Sequence, residues 1–382
     1  MATDNLLKFD PKKEPMGSSP SLKKVTELPK SKTNPYDASH SPADILDLLP
    51  PDGSRFGLYS DPYASMVYYQ PNQGKNHGNY WLDRRLDERA FTENEIALIE
   101  FLSVHRIATR SQIRRAVFKH IENDDKVRDF IKKSRKLGFI TTFSWGTPLK
   151  EERKKPLVYG LTRVGCEAAT ILFHRNLQKE FQFQPVEFNR IKGPNMVSFF
   201  PDLVANELYA ELFRLDRVIS WERKKLIRLS DGMYHHPFVT TDLIKDEGEI
   251  LTFWIEVIRV TYDWQEQAIK RFKFTQAAVE KLPEAQRPKR LILIVDSDAR
   301  IPLISKLPEE HMPNVEIRWT TDERLLMGLS QDTFLLYEHS TQTIKKSPMA
   351  FLLEGYTGMT ASDYLTQQHL DFDIDEDDFE DE

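Results

Sequence analysis

Apolar positions recur at helical spacing in three short stretches between Glu93 and Leu137, then switch to strand alternation. Thr92 with Glu95 has the spacing of a capping box, and Ile96, Leu98, Ile99, Phe101 and Leu102 follow on one helical face. Thr109 with Gln112 repeats the signal before Ile113, Ala116, Val117 and Phe118. A third helix is predicted from about Asn123, burying Val127, Phe130, Ile131 and Leu137 and stopped by Gly138. Phe139 to Ser144 alternates as a strand, Trp145-Gly146-Thr147-Pro148 turns, and Leu157 to Leu161 returns. Farther on, the pattern predicts a helix over Pro201 to Leu215 and strands over Val218 to Leu229, Pro237 to Ile244 and Ile250 to Val260. It continues with a long helix over Asp263 to Leu282 and strands at Leu291 to Val295, Val315 to Trp319 and Thr333 to Tyr337. The nearly all-apolar strand at Leu291, flanked by helices, needs cover on both faces, which points to an α/β layer.

Three helices followed by a hairpin are the order of a winged helix-turn-helix, and the charge pattern agrees. From Arg106 to Lys155 there are 15 Lys/Arg against 6 Asp/Glu, a net of +9, in a chain whose net charge is −6. Such a local reversal of sign is the footprint of a polyanion site. On the third helix Lys126, Arg128, Lys132, Lys133, Arg135 and Lys136 stand where a recognition helix needs cations. Arg110, Arg114 and Arg115 lie on the second, and Lys150, Arg153, Lys154 and Lys155 lie in the loop of the wing. A charged solvated face on a protein-binding domain is the plainer alternative.

The first ~80 residues lack sustained periodicity. Met1 to Ser54 reads as disordered with a short helix at Ala43 to Leu49, and the Tyr-richer Phe56 to Trp81 reads as an arm that docks on a folded surface. At the other end nine of the twelve residues from Asp371 to Glu382 are acidic, interleaved with Phe372, Ile374 and Phe379. That composition reads as a solubilising tail, as a dock for a partner, or as a DNA mimic covering the basic wing. The predicted organisation is an arm over 1–80, a winged helix-turn-helix over 88–178, an α/β domain over 195–345 and an extension over 346–382 with the acidic tail. The fold class is α/β (α+β overall) with disordered termini. Cys166 is the single cysteine, so no disulfide forms within the chain, and no apolar leader or membrane-length run is present. Both observations lead to the expectation of a cytoplasmic protein with no membrane association.

The order α-β-β-β-α-β in the second domain is also that of restriction-endonuclease-like nucleases, which hold Mg²⁺ between strand carboxylates and activate water with a lysine. Glu256 is the acid that calls for an explanation, because a carboxylate on an apolar strand must be paired or metal-bound. Ile258 stands two residues on where a lysine is needed, and Phe238 follows Pro237 where an aspartate is needed. That leaves Asp242 and Lys270 as substitutes. The expectation is therefore no catalytic or metal site and no cofactor, with Glu256 satisfied by Arg259, Lys270 or a backbone donor; Mg²⁺ enters only if the nuclease alternative holds. Glu207 and Glu211, one helical turn apart, read as an exposed stripe.

The chain resembles the replication-relaxation family, winged-helix proteins encoded mainly on plasmids and integrative elements, over about Phe91 to Tyr337. The residues that carry the resemblance are Thr92-Glu93-Asn94-Glu95, Ala108-Thr109-Arg110-Ser111-Gln112-Ile113, Lys136-Leu137-Gly138-Phe139-Ile140 and Leu161-Thr162-Arg163-Val164-Gly165. Trp221-Glu222, Pro237, Ile255-Glu256-Val257 and Lys270 extend it into the second domain, and Phe238 departs from it. The resemblance implies a double-stranded DNA-binding accessory role in plasmid replication or DNA mobilisation. It also implies a degenerate nuclease-like half. Replication or relaxase proteins are then expected partners of the acidic tail, and a homodimer is compatible with the motif. A metal-dependent nuclease and a transcription regulator are the alternatives.

Overall fold

The computed structural model describes residues 48–68, 79–121, 123–147, 153–183, 195–261 and 263–368. The expectations for 1–47, for Lys150 and for the acidic tail at 371–382 lie outside these residues. The described chain is a mixed α/β protein that divides into two compact units, 1–207 with 259–264, and 208–258 with 265–382. The division falls inside the helix Phe200–Arg214, because buried polar side chains on its first half bond into the first unit.

The first unit opens with β1 (Ser65–Tyr68) and α1 (Asn79–Asp87). It continues through α2 (Glu93–His105), β2 (Ile107–Thr109), α3 (Arg110–Ala116), α4 (Asp124–Leu137), β3 (Ile140–Gly146), β4 (Val158–Leu161) and α5 (Arg163–Phe173). The helix starts follow the capping chemistry of the sequence. Thr92 and Thr109 each accept from the backbone N–H three residues on, while Glu95 and Gln112 return to the cap N–H. Asn123 caps α4, and Gly138 ends it at φ 91°, a conformation that favours glycine. An antiparallel sheet in the order β1-β3-β4-β2 closes over the helices. The strand β2 was not anticipated: three residues are too short for a periodic signal, and pairing with β4 alone makes them a strand. The Tyr-rich arm docks through β1 on β3, burying Phe56, Tyr59, Tyr63 and Met66, with the Tyr59 and Trp145 rings 6.3 Å apart.

The second unit holds the end of α6 (Phe200–Arg214), β5 (Val218–Arg223), a small hairpin β6 (Ile227–Arg228) and β7 (Tyr234–His235), then β8 (Val239–Asp246) and β9 (Glu249–Val257). After α7 (Trp264–Lys281) come β10 (Arg290–Val295), α8 (Ile301–His311), β11 (Ile317–Thr321), α9 (Asp322–Leu326), β12 (Leu335–Glu338) and β13 (Thr343–Lys346). Seven strands order as β13-β12-β11-β10-β9-β8-β5, with β9, β10 and β11 parallel and the remaining pairs antiparallel. Trp221, Thr241 and Phe253 line one face, where Tyr209 of α6 meets Trp221 edge-on at 5.0 Å. Glu256, Trp254 and Leu293 line the other, under α7.

One predicted strand shortens and one helix appears that the pattern did not show. The strand expected over Val218 to Leu229 ends at Arg223, because Lys224 takes φ 51° and breaks the extended run. Helix α8 was not predicted: it carries Pro308 inside, a residue that normally marks a helix end, although the proline in its first turn is one a helix start accepts.

Candidate nucleic-acid interface

Helix α4 turns Val127, Ile131 and Ser134 into the core and leaves Lys126, Arg128, Lys132, Lys133 and Lys136 exposed on the opposite arc. At 100° per residue these five side chains spread across the solvent face of one helix. Arg128 lies 2.9 Å from Asp125 and 3.7 Å from Asp129, whereas no ion pair forms at Lys126, Lys132, Lys133 or Lys136 among the described residues. Arg135, at the edge of the arc, is half-buried. It and Arg110 act on the Tyr159 phenol, whose pKa burial raises while the two guanidinium groups oppose the rise. The structure thus brings the start of α3 and the end of α4 together beside β4, with lysines free on one side. Two anchored cations stand on the other, since Arg110 pairs with Asp124 at 3.1 Å.

The remaining predicted contacts divide. Lys154 is exposed and Lys155 half-buried beside the start of β4, and Arg114 is exposed on α3. Arg153 donates to the carbonyl of Phe56 at 2.7 Å and so fastens the arm. Arg115 is turned to the buried Glu207, which it meets in an ion pair. Arg106, part of the cationic run in the sequence, is buried: it pairs with Asp202 at 2.7 Å, donates to the carbonyl of Glu180 at 2.8 Å and lies 4.5 Å over the ring of Phe199. An ionised group this enclosed serves the fold, because a buried charge needs its partner close.

The partners of these cations were missed in the sequence. Asp202, Asn206 and Glu207 lie at helical spacing on α6, and all are buried. Asn206 donates to the carbonyls of His105 at 3.1 Å and Ile107 at 2.6 Å, and its Oδ1 is 2.8 Å from His105 Nδ1. Gln112 Nε2 donates to Leu203 O and to Glu207 Oε2, both at 2.8 Å. The expected exposed stripe is therefore wrong at Glu207, and also at Glu211, which is buried and accepts from Arg214 at 3.1 Å. Charge in the sequence reads as solvent exposure until the cation that answers it is placed.

The second unit contains the carboxylates of the nuclease alternative. Glu256 is buried and accepts from the Phe238 N–H at 3.1 Å and from Arg271 at 2.6 Å. Burial outweighs both and pushes its carboxyl up to about 7. The expected backbone donor is present, but Arg271 takes the place expected of Arg259 or Lys270, and Lys270 is exposed. Asp242 accepts from Ser220 at 2.7 Å and Thr252 at 2.6 Å. It pairs in register with Thr252, four residues along the ladder from Glu256 and on the same face. That spacing is about 13 Å. The three residues therefore do not fit one shared Mg²⁺ site, and no group of three or more His, Cys, Asp or Glu able to hold a metal occurs among the described residues. Cys166 is half-buried, its thiol pushed up to about 12 mainly by burial, which disfavours the nucleophilic thiolate. No helix among the described residues is long and apolar enough to cross a membrane.

Comparisons with family models, with curated proteins and with solved structures find no match to this chain.

Proposed function

We propose that this chain binds double-stranded DNA through a winged helix over Glu93–Leu161, with α4 as the recognition helix and the β3–β4 hairpin as the wing. The observation that carries the reading is the exposed cationic arc of Lys126, Arg128, Lys132, Lys133 and Lys136, set back to back with an apolar stripe that fixes the helix on its core. The order α2-β2-α3-α4-β3-β4, with β2 paired to β4, supports it, because that is the order of helices and hairpin in such a motif. Phosphates would take Lys126, Lys132, Lys133, Lys136 and Lys154, and the anchored Arg110 and Arg135 would hold the helix register. Arg106, Arg115 and Arg153 are committed to the fold and arm.

The resemblance noted from the sequence makes an accessory role at a replication or transfer origin the favoured setting, and a promoter-bound regulator the competing one. The second unit then acts as a nuclease-like domain without cleavage. The nuclease alternative draws no support from Asp242, Glu256 and Lys270, whose positions diverge.

Gel-shift titration of a duplex library with the parent and with Lys132→Ala/Lys133→Ala/Lys136→Ala tests the interface; equal affinity would remove α4 from it. Sequencing the DNA bound in cells separates origin from promoter. Incubation of supercoiled plasmid with Mg²⁺ or Mn²⁺ should leave it intact, and nicking abolished by Glu256→Gln would restore the nuclease reading.

A further inference from the structure

The hairpin β6–β7 in the second unit has two unlike faces. Ile227 pairs with His235 and Arg228 with Tyr234, so alternate positions share a side. Inward, His235 lies 5.0 Å from the ring of Trp254, and Leu229 is buried. Outward, Leu226, Arg228, Tyr234 and His236 stand exposed, with Met233 beside them at the turn; Leu226 is 63% exposed, Tyr234 55% and Met233 50%. Large apolar side chains are seldom grouped in water without a partner.

The tip is built to hold its shape. Leu229 N–H donates to Met233 O at 2.8 Å, Asp231 Oδ1 accepts from the Met233 N–H at 3.0 Å, and Gly232 adopts φ 80°. Asp231 is tied to Lys281 of α7 at 2.5 Å. Charge on the segment is one-sided: from Arg223 to His236 four Lys/Arg face one acid, Asp231, which Lys281 already neutralises. Lys225 is held by Glu222 at 2.5 Å and Arg223 lies 5.8 Å over Phe238, while Arg228, paired with Tyr234 in the register, is the cation beside the exposed ring.

We infer that this hairpin is a second nucleic-acid contact, one that takes single-stranded DNA by stacking a base on Tyr234 while Arg228 meets the adjoining phosphate. A ring between aliphatic neighbours and a guanidinium suits an unpaired base, whose face is open, better than a duplex, whose base faces are already stacked. Leu226, two positions from Arg228 on the same face, then flanks the base edge, and the hydrogen-bonded turn removes much of the ordering cost of binding. The contact draws on no residue of α4, so it stands or falls apart from the duplex site.

The test is fluorescence anisotropy of a labelled oligo-dT with the full chain, run beside a labelled duplex. The parent should bind the single strand, and Tyr234→Ala should weaken that binding by about 5- to 100-fold while duplex affinity stays the same. Tyr234→Phe should retain most of the affinity, because it keeps the ring, and Arg228→Ala should flatten the salt dependence of single-strand binding. Lys132→Ala/Lys133→Ala/Lys136→Ala should lower duplex affinity and leave the Tyr234 effect on oligo-dT in place. Single-strand affinity unchanged in Tyr234→Ala, absent in the parent, or lost equally in Tyr234→Phe would overturn the proposal. Because Tyr234 and Arg228 are exposed, thermal unfolding should be unaltered in these variants, which separates lost contact from lost fold.

Discussion

Arg271, and not Lys270 one position before it, donates to Glu256 at 2.6 Å across the α7 face of the sheet. A helix turns 100° per residue, so one step decides which side chain reaches the strand. Burial outweighs that contact and raises the Glu256 carboxyl to about 7, so it gains its proton below neutrality, while burial keeps His235 neutral down to about pH 4.

The two groups should tilt stability in opposite directions. Burial raises the Glu256 carboxyl from 4.5 to about 7, so the folded state holds a proton that the unfolded chain releases; its contribution is complete below pH 4.5 and is lost as pH rises to about 7. Burial, with His236 and Arg271, lowers His235 from 6.5 to about 4, so its contribution is complete above pH 6.5 and is lost as pH falls to about 4. Between pH 4.5 and 6.5 they oppose each other, each at up to about 1 kcal/mol per pH unit. Urea unfolding at pH 5 and pH 6 should find Glu256→Gln more stable at the higher pH and His235→Phe more stable at the lower, relative to the parent slope. Parallel slopes in all three proteins would refute the assignment.

Lysines on α4 should act as phosphate contacts. Each one removed should reduce the salt slope of duplex binding by roughly 0.9 in log Kd per log salt, while stability changes by no more than ~0.5 kcal/mol. Arg153→Ala should behave differently, loosening the arm at Phe56 and raising proteolysis there with little change in slope. A full salt slope in Lys132→Ala/Lys133→Ala would place α4 away from DNA.

Gln112 caps α3 and also donates to Glu207, both in the interior. Gln112→Leu should cost about 1–3 kcal/mol through the unmade hydrogen bonds. Gln112→Glu should cost more, about 3–5 kcal/mol, since it sets a second buried carboxylate against Glu207. Thermal unfolding by circular dichroism orders the two; a milder effect of the charged variant would contradict the buried contact.

Gly165 starts α5 so close to the carbonyl of Phe139 that a Cβ could be added only by moving backbone. Gly165→Ala should destabilise by about 1–3 kcal/mol, as overpacking does. Gly53→Ala tests the contrast: nothing lies within 4 Å there, so its cost should come only from the φ of 71°. An unfolding temperature unchanged in Gly165→Ala would mean that the helix start can shift freely.

Local chemistry was legible in the chain. The capping boxes at Thr92 and Thr109, the stop at Gly138, the turn from helix to strand period at Phe139, and the apolar run at Leu291 each act within a few residues, so their spacing sufficed. Short strands such as Ile107–Thr109 and Ser65–Tyr68 were hidden, because partners distant in sequence make them strands. The proline-bearing helix at Ile301 was hidden by a residue that usually marks a boundary. The chain by itself determined that Glu93–His105, Asp124–Leu137 and Trp264–Lys281 are helical, where cations are dense and that Glu256 needs a partner. Only the tertiary structure decided that Arg106, Arg115, Glu207 and Glu211 face inward while the lysines of α4 face water. The reason is physical: a charge's role depends on whether a counter-charge lies within a few ångströms, and that distance is set by packing between elements far apart in sequence.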